Sequence, residues 1–236
     1  VKKVFALLAV SLLLFLIACS QEASEEEVVD NVLNSYRDVS QYAAEFSINT
    51  SDLTGTVNYS IEVNLTEDPA ALHQISTIES DGEETSTDTY RVDNEIYTRE
   101  ADGPWVKREA EEDEALFSPS YRDIVSVLEN VIDYAEFDSV GGTYTFSYNG
   151  FERDIYEAFE GPFNILVGGS DISDEDMTLD FSFEVNSADY YIENLEYNLT
   201  VENETGNVDI NIQVNYNDIN NMDEIEIPDD VVEQAS

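Results

Sequence analysis

Two segments of this chain alternate so strictly that they restrict its fold more than any other feature. In the first, Val57, Tyr59, Ile61, Val63 and Leu65 share one side, with Asn58, Ser60, Glu62 and Asn64 on the other. In the second, Val208, Ile210, Ile212, Val214 and Tyr216 are separated by polar residues in the same way. Side chains of a strand point alternately to its two faces, so these segments belong to an antiparallel sheet with one packed and one wet face. Weaker versions run through Tyr42, Ala44, Phe46 and Ile48, through Tyr144, Phe146 and Tyr148, and through Leu179, Phe181, Phe183 and Val185. Segments 71–79, 87–93, 95–100 and 104–109 fit strands, with turns at Asp93-Asn94 and Asp102-Gly103. Tyr190 and Ile192 precede Leu195, Tyr197, Leu199 and Val201, and the phase slips at Glu193-Asn194, which predicts a bulge or a tight turn.

Helical spacing interrupts this pattern at three places. Ser24 followed by Glu27 has capping-box spacing, and Val28, Val29, Val32, Leu33, Tyr36 and Val39 form one stripe, predicting a helix over about 25–40. Ser118-Pro119 reads as a cap with proline in the first turn, ahead of a stripe of Tyr121, Ile124, Val125, Leu128 and Ile132 that Gly141-Gly142 ends. A piece over about 151–160 carries Phe151, Ile155 and Phe159, and Gly161-Pro162 is expected to stop it. Phe163, Ile165, Leu166 and Val167 follow, then Gly168-Gly169 opens an acidic loop at 170–176. The order helix, strands, helical insert (about 118–167), strands is that of an α+β domain, a mainly antiparallel sheet curled around a few helices.

The first residues set the expected compartment. Lys2 and Lys3 precede Val4–Ala18, an apolar run interrupted only by Ser11 and shorter than the roughly 20 residues that span a bilayer. A basic head with such a run reads as a secretory signal over 1–18. The run ends in Leu16-Ile17-Ala18-Cys19, which resembles the bacterial lipobox, where the cysteine receives diacylglycerol. Cys19 is the only cysteine, so it is the expected lipidation site and no intrachain disulfide forms. Two or three acyl chains anchor stably where one binds marginally. The expected arrangement is a lipidated stem at 19–24 and a single domain at 25–236, tethered to the outer face of the cytoplasmic membrane.

The net charge is −44, and losing Lys2 and Lys3 with the leader takes it to −46. Nucleic-acid binding needs clustered lysine and arginine, so this charge argues against it. An anionic leaflet would repel such a body and hold it off the membrane on its tether. Acid excess with lysine depletion suits a saline or alkaline exterior, where self-repulsion is screened or tolerated.

Four features together resemble the half-barrel lipoproteins of the LolA/LppX-like superfamily and related lipoproteins of Gram-positive bacteria. They are the lipobox at 16–19, the helix before the first strand, Glu95-Ile96-Tyr97 followed by Pro104-Trp105-Val106-Lys107, and Ile225-Glu226-Ile227-Pro228 with Val231-Val232. The resemblance implies a strongly curved sheet with helices on its concave face, and in several members a lipid or acyl chain in the hollow. Fold by itself does not license function.

The residues offer little chemistry. His73 is the sole histidine and reads as a surface or edge residue of a strand; no Gly-x-Ser-x-Gly elbow or Walker loop is present. With Cys19 committed to lipid, zinc sites built from cysteine and histidine are excluded. Fifty-three acids make chance carboxylate pairs plentiful, so neither Asp171, Asp174, Glu175 and Asp176 nor Glu111, Glu112, Asp113 and Glu114 stands out as a metal site. No cofactor, metal or catalytic residue is expected. What remains is apolar. An inner sheet face carrying Tyr59, Ile61, Phe181 and Phe183 needs a cover, and the segments with Ile124, Leu128, Phe151, Phe159, Phe163 and Leu166 supply it. Two readings stay open. Loose closure leaves a cavity for a lipid or other apolar ligand; complete closure leaves a filled core and a cell-envelope interaction or sensing module with a protein partner.

Overall fold

A computed structural model describes residues 23–111, 114–165, 173–203 and 206–235. The alternating segments form one antiparallel sheet of eleven strands, ordered β6-β5-β4-β3-β2-β1-β11-β10-β9-β8-β7. Six strands run in chain order as a meander: β1 (Gln41–Asp52), β2 (Gly55–Glu67), β3 (Ala70–Ser80), β4 (Glu83–Val92), β5 (Glu95–Glu100) and β6 (Val106–Glu109). Five more form a second meander: β7 (Glu136–Val140), β8 (Thr143–Gly150), β9 (Met177–Asn186), β10 (Ile192–Asn203) and β11 (Gly206–Asn217). The two join where β1 pairs with β11, Phe46 opposite Val214. The ends do not pair with each other, so the sheet is an open half-barrel. The phase slip at Glu193-Asn194 is a bulge and not a tight turn: the β9–β10 register shifts between Ile192 and Asn194.

Three helices lie on the inner face. In α1 (Glu25–Asn34) the Ser24 side chain accepts from the Glu27 amide, three acids occupy the first turn where the helix dipole favours them, and Val28 and Val32 are buried. A 3-10 turn, Ser35–Arg37, ends it short of the expected residue 40, although Val39 is still buried. In α2 (Tyr121–Val131) the cap is Ser120, in a reciprocal capping box with Asp123, and not Ser118 with Pro119 in the first turn. Ile124, Val125, Val127, Leu128 and Val131 face the sheet. Helix α3 (Arg153–Phe163) is not stopped by Gly161-Pro162; it runs through both and ends on Asn164 in the left-handed conformation. Proline near a helix end removes one donor but keeps a helical φ, which is why the turn survives.

The central insert is therefore not helical throughout. Between α2 and α3 it contributes the β7–β8 hairpin, with Gly141 and Gly142 both at positive φ in its turn, and this hairpin forms one end of the sheet. A fourth helix, α4 (Asp229–Gln234), lies elsewhere. Its Val231 packs with Tyr97 and Trp105, and Tyr97 belongs to the outer face because it stands in register with Tyr90, His73 and Asn64. The chain reaches it by a strap leaving β11. Asn220 fastens this strap to the start of β1, accepting from the Ser40 amide at 2.8 Å and donating to the Asp38 carbonyl at 2.7 Å.

Candidate functional site: a half-roofed inner face

Register places the inner-face side chains in cross-strand rows. One row reads Thr85, Ile78, Tyr59, Ile48, Ile212, Tyr197, Phe181 and Tyr148, from β4 to β8. At the β8–β11 end α3 roofs it. Phe159 stacks on Tyr197 with centroids 4.2 Å apart, and lies 5.8 Å from Phe181 and 6.3 Å from Phe183. Towards β4 the roof ends. Val57 and Ile78 are 44% and 49% exposed on this same face, and Val106 on β6 is 53% exposed. Beside Val106 a depression of about 610 Å³ is lined by Thr98, Glu100, Gly103, Pro104, Val106 and Arg108.

The connection from β6 to α2 closes the other end of the open half. Arg91 donates to the carbonyls of Ala115 (2.9 Å) and Glu114 (3.1 Å), and Phe117 packs on Phe46 with centroids 5.2 Å apart. Arg108 pairs with Glu114 and pulls its carboxyl down to about 2.

Of the expected ligand-contacting residues, Ile61, Ile124, Leu128, Phe159, Phe163, Phe181 and Phe183 are buried in one core cluster, with Tyr59 and Phe151 half-buried against it. Phe159 and Phe163 of α3 are brought together with Phe181 and Phe183 of β9. Tyr59 and Ile61, on β2, are separated from Phe181 and Phe183 by β1, β11 and β10. Leu166 and Cys19 lie outside the described residues.

Three polar groups in this apolar region were not singled out by sequence. The hydroxyls of Tyr42, Tyr197 and Tyr216 are buried with no hydrogen-bond partner, and burial drives each to a higher pKa. Leaving a buried hydroxyl unpaired costs about 1–3 kcal/mol. Tyr121 differs: its hydroxyl meets the Ser35 hydroxyl at 3.1 Å and accepts the Ile192 amide at 2.8 Å, and burial pushes its pKa to about 12. Within the strand patterns these tyrosines were indistinguishable from core positions.

The outer face is polar. His73 sits on β3, an interior strand, not at an edge of the sheet; its Nε2 meets Asp88 at 3.1 Å. Under the strap a depression of about 460 Å³ is lined by His73, Tyr90 and the acids Asp218, Asp223, Glu224 and Glu226 among others. Asp174 pairs with Arg153, and Asp176 caps the turn at Ser173. Among the described residues no group of three or more His, Cys, Asp or Glu is placed to hold a metal ion, and no helix is long and apolar enough to cross a membrane.

The description of a family of unknown function, DUF6612, matches residues 22–236. The chain belongs to this family. No curated protein matches the sequence. Among solved structures, this DUF6612 member is similar to the Mycobacterium tuberculosis lipoprotein LppX, with 10% identity, 86% of this chain and 100% of that chain covered, and a TM-score of 0.41. It is also similar to a LolA superfamily protein of Nitrosomonas europaea, at 8% identity, 89% and 97% coverage and a TM-score of 0.27. A DUF1329 family protein of Desulfovibrio piger gives 8% identity, 86% and 95% coverage and a TM-score of 0.26. The half-barrel description rests on the strand order and helix placement given above.

Proposed function

We propose that this protein is a non-enzymatic lipoprotein, anchored outside the cell through lipid on Cys19, that binds a lipid or other apolar ligand on its inner sheet face. The observation that carries this reading is the incomplete roof. One continuous row of side chains passes from exposed Ile78 through half-buried Tyr59 to Tyr197 beneath α3. Apolar surface left open beside a packed interior gains free energy when a ligand covers it, at roughly 25 cal/mol per Å². The test is organic extraction of protein purified from its native membrane, with mass spectrometry of the extract and uptake of a neutral fluorescent acyl probe. Extractable lipid and saturable uptake are expected; an empty extract with no uptake overturns the reading. For the anchor, Cys19→Ser is expected to release the protein into the medium.

A second reading draws on the close packing under α3, where Phe159, Phe163, Phe181 and Phe183 fill the interior. A filled interior suits an envelope interaction or sensing module with no small-molecule ligand. Crosslinking that recovers one defined envelope protein, with no lipid extracted, would favour it.

A further inference from the structure

Around its buried hydroxyls the inner face has donors but no cations; the two arginines of its strands, Arg91 on β4 and Arg108 on β6, stand in the row of Leu65 and Leu72, away from them. Tyr197 is fully buried on β10, between Phe181 on β9 and Ile212 on β11, under the ring of Phe159. Its hydroxyl reaches no protein partner, and the titratable group beside it is Tyr156. The other two unpaired hydroxyls, on Tyr42 and Tyr216, feel only the acids Glu67 and Asp123 and neighbouring tyrosines or backbone. No lysine or arginine acts on any of the three. The described basic residues are committed elsewhere: Arg37 and Arg122 to the Tyr36 ring, Arg91 to the carbonyls of the β6–α2 connection, Arg108 to Glu114, and Arg153 to Asp174. Arg99 pairs with Asp88 and Lys107 with Glu95, both on the outer face.

A neutral hydroxyl in an apolar setting wants an acceptor. A carboxylate or phosphate brought there would be a buried charge with no counter-charge, which costs far more than one hydrogen bond returns. An ester carbonyl has an acceptor oxygen, carries no charge and sits within hydrocarbon. We propose that the inner face selects neutral acyl esters over free fatty acids, with Tyr197 donating its hydroxyl hydrogen bond to the ester carbonyl. The acyl chain follows the row from Tyr197 past Ile212, Ile48 and Tyr59 to the open half at Ile78, and the ring of Phe159 yields to admit the ester. This rests on the apolar-ligand reading above and narrows it to a ligand class.

The test uses three ligands with the same chain length: monoolein, oleate and 1-octadecene. Each is titrated against the delipidated full chain at pH 8 by displacement of a neutral fluorescent acyl probe. Monoolein is expected to bind about tenfold or more tighter than oleate, because only oleate must bury a charge. Tyr197→Phe is expected to weaken monoolein by about fivefold, the worth of one neutral hydrogen bond, and to leave 1-octadecene unchanged. Tyr216→Phe removes an equally buried hydroxyl two rows away and is expected to leave the monoolein-to-octadecene ratio as it was. Oleate binding as tightly as monoolein overturns the proposal while the apolar-ligand reading stands. So does a Tyr197→Phe variant with an unchanged ratio, which marks a hydroxyl served by trapped water, and so does an equal loss in both variants. If none of the three ligands displaces the probe, the apolar-ligand reading itself fails.

Discussion

The imidazole of His73 lies flat on the ring of Tyr90, with centroids 4.1 Å apart and planes 7° from parallel. Tyr90 in turn meets Trp105, and Trp105 and Tyr97 hold Val231 of the C-terminal helix in a small core of their own. This core is separate from the main one and is formed on the outer face by a strap that starts at the centre of the sheet. The strap thus ties the β3–β6 half, which bears the open inner surface, to the β1–β11 junction. Val231→Ala removes about two buried carbon groups, a loss of about 1.5 kcal/mol. Hydrogen exchange is expected to accelerate in β4 and β5 while β9–β11 keep their protection. Uniform acceleration across all strands would show that the strap is no local clasp.

Ser120 and Asp123 close a reciprocal capping box on α2, the helix that buries five aliphatic side chains against the sheet. Ser120→Ala is expected to cost about 1 kcal/mol in chemical denaturation. Ser118→Ala, two residues earlier, is expected to leave the midpoint unchanged. The opposite ranking would return the cap to Ser118-Pro119.

Those two serines show how far local pattern reaches. Ser118-Pro119 and Ser120 both satisfy a cap signature, and only Asp123, three residues past Ser120, separates them. Period-two alternation was enough for the long strands, because each has one buried face, and it located the irregularity at Glu193 without deciding between a bulge and a tight turn. It missed β7 at the sheet's edge, where Phe137 is followed by two polar residues and the exposed Val140, so that no alternation is visible. The site was less legible than the fold. Phe159, Phe181 and Phe183 follow from apolar spacing, but that Ile78 stands opposite Tyr59, and lies bare, depends on pairing between strands. Nor does an alternating run distinguish Tyr197, whose hydroxyl is stranded, from Leu195 and Leu199 beside it.

Glu114 is held down to about 2 by the Arg108 guanidinium first and the Glu111 amide second, against an ordinary value of 4.5. A depressed carboxyl contributes stability above its unfolded value and loses it as pH falls through the folded one. The connection over the open inner face is therefore expected to stay fastened at pH 5 and to loosen between about pH 4.5 and 2. Carboxyl titration by NMR would show Glu114 ionising far below the other glutamates, and Arg108→Ala returning it towards them. An unshifted Glu114 would dissolve the link.

The charge of −44 makes a second electrostatic expectation. Self-repulsion reaches about 30 Å at 0.01 M salt and about 3 Å at 1 M, whereas exposed ion pairs are worth roughly 0–1 kcal/mol each. With acids so far in excess, screening repulsion outweighs weakening the few pairs. The melting temperature is expected to climb from low to high sodium chloride. A flat or falling series would sever the acidity from any saline setting.

Alkaline conditions probe the buried tyrosines directly. Burial raises Tyr197 and Tyr216 above the ordinary 10.0, since the phenolate would lose its water. Below pH 10 both states keep the proton, and these groups leave stability independent of pH. Above it the unfolded chain releases protons that the folded chain retains, so stability falls as pH rises towards the folded values. Absorbance at alkaline pH is expected to show an early ionising class that includes Tyr36, lowered by Arg37, and a late class that ionises only as the protein unfolds. Tyr197→Phe should shrink the late class by one and soften the loss of stability above pH 10. If every tyrosine ionises in one step while the protein remains folded, Tyr197 is reached by solvent, and the dry interior that excludes a carboxylate is lost with it.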